Sequence, residues 1–259
     1  MKKTVKYILY SCMSAALLAV MAASYIAGQN ARKPIVCEQI QIEVLDSSVN
    51  SFVTAADIRK YIDRNCGKLI GEPIDCINLT DVEEAVESRS AVLNCEAYVT
   101  KNSKLSINVT QRKPVVRFQK KDGGFYADAE GYIFPLQSNY ASHVQIIDGN
   151  IPLAANSGYK GDIEDPEERA WFRSMMKVVN HIEGSKTWKG KIVQIHVNDK
   201  GELTLVPREG NEVFLFGQPH SIQDKFSKME KYYTTIIPEK GAKKYKTVDV
   251  RFEKQIVCK

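Results

Sequence analysis

Ser174 and Lys177 stand in the order Ser-Met-Met-Lys, the S-x-x-K spacing that in cell-wall acyltransferases sets a nucleophilic hydroxyl one helical turn from a lysine. Here the pair falls inside a run whose Trp171, Phe172, Met175, Val178, Val179 and Ile182 recur at helical spacing, which predicts a buried stripe instead of a cleft. No Lys-Thr-Gly triplet follows, and the 82 residues after Lys177 are too few for a transpeptidase fold. His143, His181, His196 and His220 are scattered, with neither H-E-x-x-H nor G-x-S-x-G to recruit them. Gly158-Tyr159-Lys160-Gly161 is a loop and not a phosphate cradle, and no Cys/His spacing suits zinc. The expectation is no catalytic residue, no cofactor, no metal and no small-molecule substrate.

Charge narrows the partner further. The formal net charge is +5, but Lys2, Lys3 and Lys6 precede everything else, leaving 33 basic against 31 acidic residues. Nucleic acid, which needs a concentrated basic stripe, is not expected. Those lysines introduce 25 uncharged residues, Tyr7 to Ala31. About 20 apolar residues span a bilayer, so 7–27 is expected to be a transmembrane helix and 1–6 a cytoplasmic tail, oriented by the lysines. A cleaved signal peptide would end near Val20-Met21-Ala22 or Ala22-Ala23-Ser24, and a lipid would attach at Cys12. The apolar run continues past all three to Ala27, which favours a retained anchor. Cys37, Cys66, Cys76, Cys95 and Cys258 would then lie outside the cytoplasm; Cys66 and Cys76 are close enough in sequence for a disulfide, and each is equally suited to be a small buried hydrophobe.

The exported part opens with alternation at Val36, Ile40, Ile42 and Val44, the period of a strand. Thr54-Ala55-Ala56-Asp57 is a capping box for a helix carrying Ile58, Tyr61 and Ile62 to a stop at Gly67, and Thr80-Asp81-Val82-Glu83 repeats the signal for a second helix with Val82 and Val86 inward. Two strands follow, Leu93 to Val99 and Leu105 to Val109, across the turn 101–104. Ile42, Ile58, Ile62, Val86, Ile107 and Val109 are the expected core. Beyond Pro114 the texture becomes strand-rich, with turns at Lys121-Asp122-Gly123-Gly124 and Ala129-Glu130-Gly131, a meander over 192–197, 202–206 and 212–216, and two helices: one opened by Asp165-Pro166-Glu167-Glu168, the other running from Ser221 to Pro238.

Phe52 to Ile58, Ala91 to Val99 and Leu105-Ser106-Ile107-Asn108-Val109-Thr110-Gln111-Arg112-Lys113-Pro114-Val115-Val116 together resemble the POTRA domain of the FtsQ/DivIB family, with Gln111 where that family commonly has Glu. Phe125 to Pro135 is similar to the hairpin that opens the family's β-domain, and Val248-Asp249-Val250-Arg251-Phe252 to its C-terminal ending. The resemblance implies an α+β protein: the transmembrane helix, a β-α-α-β-β POTRA-like domain over 36–112, and a mainly antiparallel β-domain with two helices over 113–259. It further implies a non-enzymatic scaffold in the bacterial inner membrane at the division septum, single-pass with its bulk in the periplasm, whose β-domain binds coiled-coil proteins of the FtsB and FtsL type. The short tail and the long 138–163 connection are less typical of the family. A membrane-anchored cell-wall enzyme and a POTRA-bearing transport or assembly component are the competing readings; the second would need a barrel or further POTRA repeats.

The expected binding surface is a final edge strand from about Tyr245 to Val257. On it Lys246, Val248, Val250, Phe252, Lys254 and Ile256 share one face and Arg251 and Val257 the other. An edge strand offers free backbone groups to an incoming chain. Seven basic and two acidic residues between Lys240 and Lys259 would steer an acidic segment toward it. The strand over 212–216 is the alternative edge.

Overall fold

The computed structural model describes residues 2–30, 34–48, 51–121, 123–241 and 244–259, excepting the side chains of 2–6, 8–9 and 27–30. The expected tail 1–6 and the positions Ile8, Leu9 and Ala27 of the expected membrane segment thus lie outside the described side chains, and Asp122 and Lys243 outside the described residues. Lys2–Asn30 forms one helix, α1, of 29 residues. From Tyr10 to Ile26 its side chains are exposed, Leu18 and Val20 by 66% each. Among the described residues no helix is long and apolar enough to cross a membrane, so the expected transmembrane segment over 7–27 is not shown.

The first sheet is built from β1 (Gln39–Val44), β2 (Val92–Val99) and β3 (Lys104–Gln111) in the order β1-β3-β2. β1 and β3 are parallel, a connection that needs a crossover, and α2 (Ala55–Asn65) and α3 (Leu79–Glu87) supply it. The capping box forms as the sequence predicts: Thr54 Oγ1 accepts from Asp57 N at 3.2 Å and Asp57 Oδ2 accepts from Thr54 N at 3.1 Å. The second helix is capped two residues before the expected Thr80, by Asn78, whose Oδ1 accepts from Thr80 N. Ile58, Ile62, Val86, Ile107 and Val109 are wholly buried, and Ile42 is half-buried at the sheet margin.

The second sheet has nine strands: β4 (Pro114–Lys120), β5 (Gly123–Asp128), β6 (Ile133–Pro135), β7 (Gln145–Gly149), β8 (Ile192–Val197), β9 (Leu203–Pro207), β10 (Val213–Gly217), β11 (Thr247–Asp249) and β12 (Val257–Cys258). Their order is β12-β11-β10-β9-β8-β7-β4-β5-β6. The sheet is mainly antiparallel, as expected, with five antiparallel pairs, but the β4/β7, β7/β8 and β10/β11 pairs are parallel. Two causes are visible. β7 lies inside the stretch read as a connection, and α4 (Pro166–Gly184) carries the chain from it to β8 as a crossover. At the β6 end the edge is already taken, since Ile133 and Gly161 exchange hydrogen bonds of 3.1 and 2.9 Å.

Helices cover one face of this sheet. α4 is capped by Asp165, whose Oδ1 accepts from the N–H groups of Glu167 and Glu168, and buries Phe172, Met175, Val178, Val179 and Ile182. α5 (Ile222–Lys231) does not stop before Pro238. It loosens into a π turn over Tyr232–Ile236, in which Ile237 N reaches back to Tyr232 O, and continues as α6 (Ile237–Lys240). The wider turn accommodates a residue that has no N–H to give.

The two sheets meet through aromatic side chains. Phe52, at the entry to α2, stands edge-on to Tyr126, Phe134 and Tyr140, with centroids 5.5, 5.7 and 4.9 Å away. Beside them Arg112 pairs with the buried Asp128 at 2.9 Å and lies 3.4 Å over the Tyr132 ring. Asp128 Oδ1 in turn accepts from Tyr132 N, closing the β5–β6 hairpin.

Candidate partner-binding edge

The single C-terminal strand expected over 245–257 is two short strands joined by a turn. β11 lies parallel to β10, and the chain then reverses so that β12 pairs antiparallel with β11. Alternation therefore ends at Asp249: Val248 and Asp249 are both buried, as is Val250. The reversal has a local cause. Arg251 turns back on Asp249, donating from Nε at 2.9 Å and Nη2 at 2.7 Å, while Nη1 reaches Glu202 at 3.3 Å. Burial pushes the Asp249 carboxyl up, but the Arg251 hydrogen bonds and charge outweigh it and hold it below the usual range. Gly217, at φ 71°, leaves room for this arginine; a Cβ there would lie 2.9 Å from Arg251 Cδ. On the other flank Lys228, itself buried, donates to Phe252 O and to Asp224, pinning the turn to α5.

These contacts sort the eight residues that the sequence assigns to the surface. Val248 and Val250 belong to the core, and Arg251 is committed to its two carboxylates. Lys246, Phe252 and Lys254 are exposed, Phe252 by 45%, and Ile256 and Val257 are half-buried. The strand over 212–216 is no edge, because β10 is paired on both sides. Lys228 and Glu202 were missed: nothing local in the sequence ties either to the C-terminal turn.

β12 is the outer strand. Thr247 and Lys259 exchange two backbone hydrogen bonds, of 2.9 and 3.0 Å, so their neighbours Val248 and Cys258 form a non-hydrogen-bonded pair. The N–H and C=O of Cys258 consequently point away from the sheet. Next to this edge lies a recess of about 400 Å³ whose lining includes Lys231, Ile236, Lys254 and Ile256 together with Asp224 and Glu253. The edge thus combines outward backbone groups, apolar side chains and exposed lysines, a set suited to holding an extended chain.

The groups considered for chemistry are placed apart from it. Ser174 Oγ donates to Ala170 O of its own helix at 3.0 Å, and Lys177 is exposed. His196 pairs with Asp148, His181 stacks on Phe226, and His220 contacts Ser221. Cys66 and Cys76 line one recess below α2 and α3, both as free thiols, and burial pushes the Cys66 thiol up.

A crossover sheet closed by two helices, followed by a broader mixed sheet ending in a short open strand, makes a tandem of two α+β domains, and residues 35–110 match the model of the POTRA-like domain. Residues 113–259 match the model described as FtsQ/DivIB, C-terminal related. The chain belongs to the FtsQ/DivIB family. No curated protein matches it.

Proposed function

We propose that the chain is a non-enzymatic division scaffold, held in the bacterial inner membrane by α1 with both sheets in the periplasm, which binds a septal membrane protein by strand addition at β12. The carrying observation is the outward N–H and C=O of Cys258 on the outer strand. A partner of the FtsB or FtsL type, presenting an extended acidic segment after its coiled coil, fits the lysine-rich surroundings. The anchor rests on the uncharged run behind Lys2, Lys3 and Lys6. Ser174 is bonded within its helix, which supports a role without catalysis.

Affinity capture from dividing cells with the full chain as bait is expected to recover septal coiled-coil proteins. A Cys258→Pro variant, which lacks the outward donor, should lose them while remaining in the membrane fraction after carbonate washing. Recovery of the same proteins by that variant would remove β12 as the binding edge. Peptidoglycan cleavage that disappears in Ser174→Ala would overturn the scaffold reading itself.

A further inference from the structure

The POTRA-like sheet also ends in an edge, β2, and this one is covered along its middle. Thr100 N donates to Lys104 O at 2.8 Å and Arg112 N to Ala91 O at 2.9 Å at the two ends of the β2/β3 ladder. Counting inward from Thr100, the even-numbered Asn94, Glu96 and Tyr98 face β3, and the odd-numbered Cys95, Ala97 and Val99 turn their N–H groups outward. The two donors at the middle of the strand are taken by side chains of α3: Ala97 N donates to Glu83 Oε1 at 2.7 Å and Cys95 N to Glu87 Oε1 at 2.9 Å.

The spacing makes this a matched pair. Glu83 and Glu87 are four residues apart on a helix, a rise of ~6 Å, and outward donors two residues apart on a strand are separated by ~6.7 Å. With α3 antiparallel to β2, the two carboxylates fall where the carbonyl oxygens of an added strand would lie. The same carboxylates are felt across the strand: burial first, and then the charges of Glu83, Glu87 and Glu96, push the Cys95 thiol up to about 12.

We propose that Glu83 and Glu87 are a built-in plug on the β2 edge, two side chains standing in for a neighbouring strand, which prevent the POTRA-like sheet from pairing with a second copy of this chain. A self-complementary edge is the pairing that an uncovered strand meets first, because every copy carries it. Beyond closing the edge, the negative charge would repel the equivalent glutamates of an approaching copy.

The test is amide hydrogen exchange and sedimentation of the full chain in detergent micelles. In Glu83→Ala/Glu87→Ala, the Cys95 and Ala97 amides should exchange roughly tenfold faster, the change that one hydrogen bond of ordinary net strength corresponds to. Asn94 and Glu96, bonded to β3, should stay as slow as before, and the variant should associate with rising concentration. Glu83→Gln/Glu87→Gln, which keeps a carbonyl acceptor at each position, should retain the protection. If the double alanine variant loosens the whole domain, the single variants decide, each expected to free only its own amide. Unchanged exchange at Cys95 and Ala97, or equal acceleration at Asn94 and Glu96 in both single variants, would overturn the plug. A freed edge in a chain that stays monodisperse would overturn it equally.

Discussion

The two sheets finish in opposite ways. At β2 the outward N–H groups of Cys95 and Ala97 are met by glutamates of the preceding helix, while at β12 the outward groups of Cys258 face away from the sheet. The polar side chains of the first domain are spent on its own periphery: Glu83 and Glu87 on an edge, Asp57 on a helix start, Gln111 and Asp46 on each other. In the second domain the equivalent device is the Asp249–Arg251–Glu202 cluster, and it shapes the turn before the edge without covering the edge. A chain in which the edge of one sheet is covered and that of the other is open admits an added strand at a chosen place, which unpaired backbone alone would not specify.

The largest effect is expected where the two regions touch. Phe52 is wholly buried among Tyr126, Phe134 and Tyr140, and replacing such a ring by alanine costs about 3–5 kcal/mol. If the domains stabilise one another, Phe52→Ala should separate a single thermal transition into two, the lower belonging to the POTRA-like sheet. A single transition shifted by less than about 1 kcal/mol, the scale of an ordinary surface change, would mean the contact holds nothing together.

How far the sequence reveals this contrast depends on the range of the interactions involved. Local signals were legible: Thr54 with Asp57, and Asp165 with Pro166, lie within one helical turn, and both caps form. The POTRA-like core was legible because period-two and period-3.6 patterns agree with a sheet buried on one face. β7 was not, since Gln145-Ile146-Ile147 is a short central strand whose identity comes from parallel neighbours distant in sequence. The edge itself was misread in position. Residues 245–257 keep a plausible alternation, but the turn is set by Lys228 on α5 and Glu202 before β9. The outward groups therefore belong to Cys258.

A middle-sized effect probes the first domain's self-sealing. Gln111 is buried; its Oε1 accepts from Val53 N at 2.9 Å and its Nε2 donates to Asp46 Oδ1 at 3.1 Å. Gln111→Glu keeps the acceptor and removes the donor, setting a carboxylate against Asp46. Losing one partner of a buried hydrogen bond costs about 1–3 kcal/mol, and the loss should confine itself to the POTRA-like transition. Acid that protonates either carboxyl should relieve it, so urea unfolding at pH 7 and pH 4 should show a smaller penalty at the lower pH. An equal penalty at both would assign the effect to shape and not to charge.

The smallest effect concerns the start of α2, where the first domain's sealing is most exposed to solvent. Thr54→Ala removes one half of the capping box, and losing such a cap costs about 1 kcal/mol. Hydrogen bonds from the Thr54 side chain and then its backbone hold the Asp57 carboxyl below its ordinary value. A carboxyl whose pKa is lower folded than unfolded stabilises above its unfolded value, near 3.8, and loses that contribution as pH falls through the folded one. The wild-type POTRA-like transition should therefore drop below about pH 4. In Thr54→Ala the Asp57 pKa returns toward the ordinary value, so part of that drop disappears and the two proteins should converge in acid. The Asp249 carboxyl in the second domain is also lowered, by Arg251 against its burial, and does not depend on Thr54. Its acid-dependent loss should persist unchanged in the variant. Thermal melts from pH 7 to pH 2.5, read domain by domain, check both halves; a variant that loses the acid dependence of both transitions would show that the two ends of the molecule are not sealed independently.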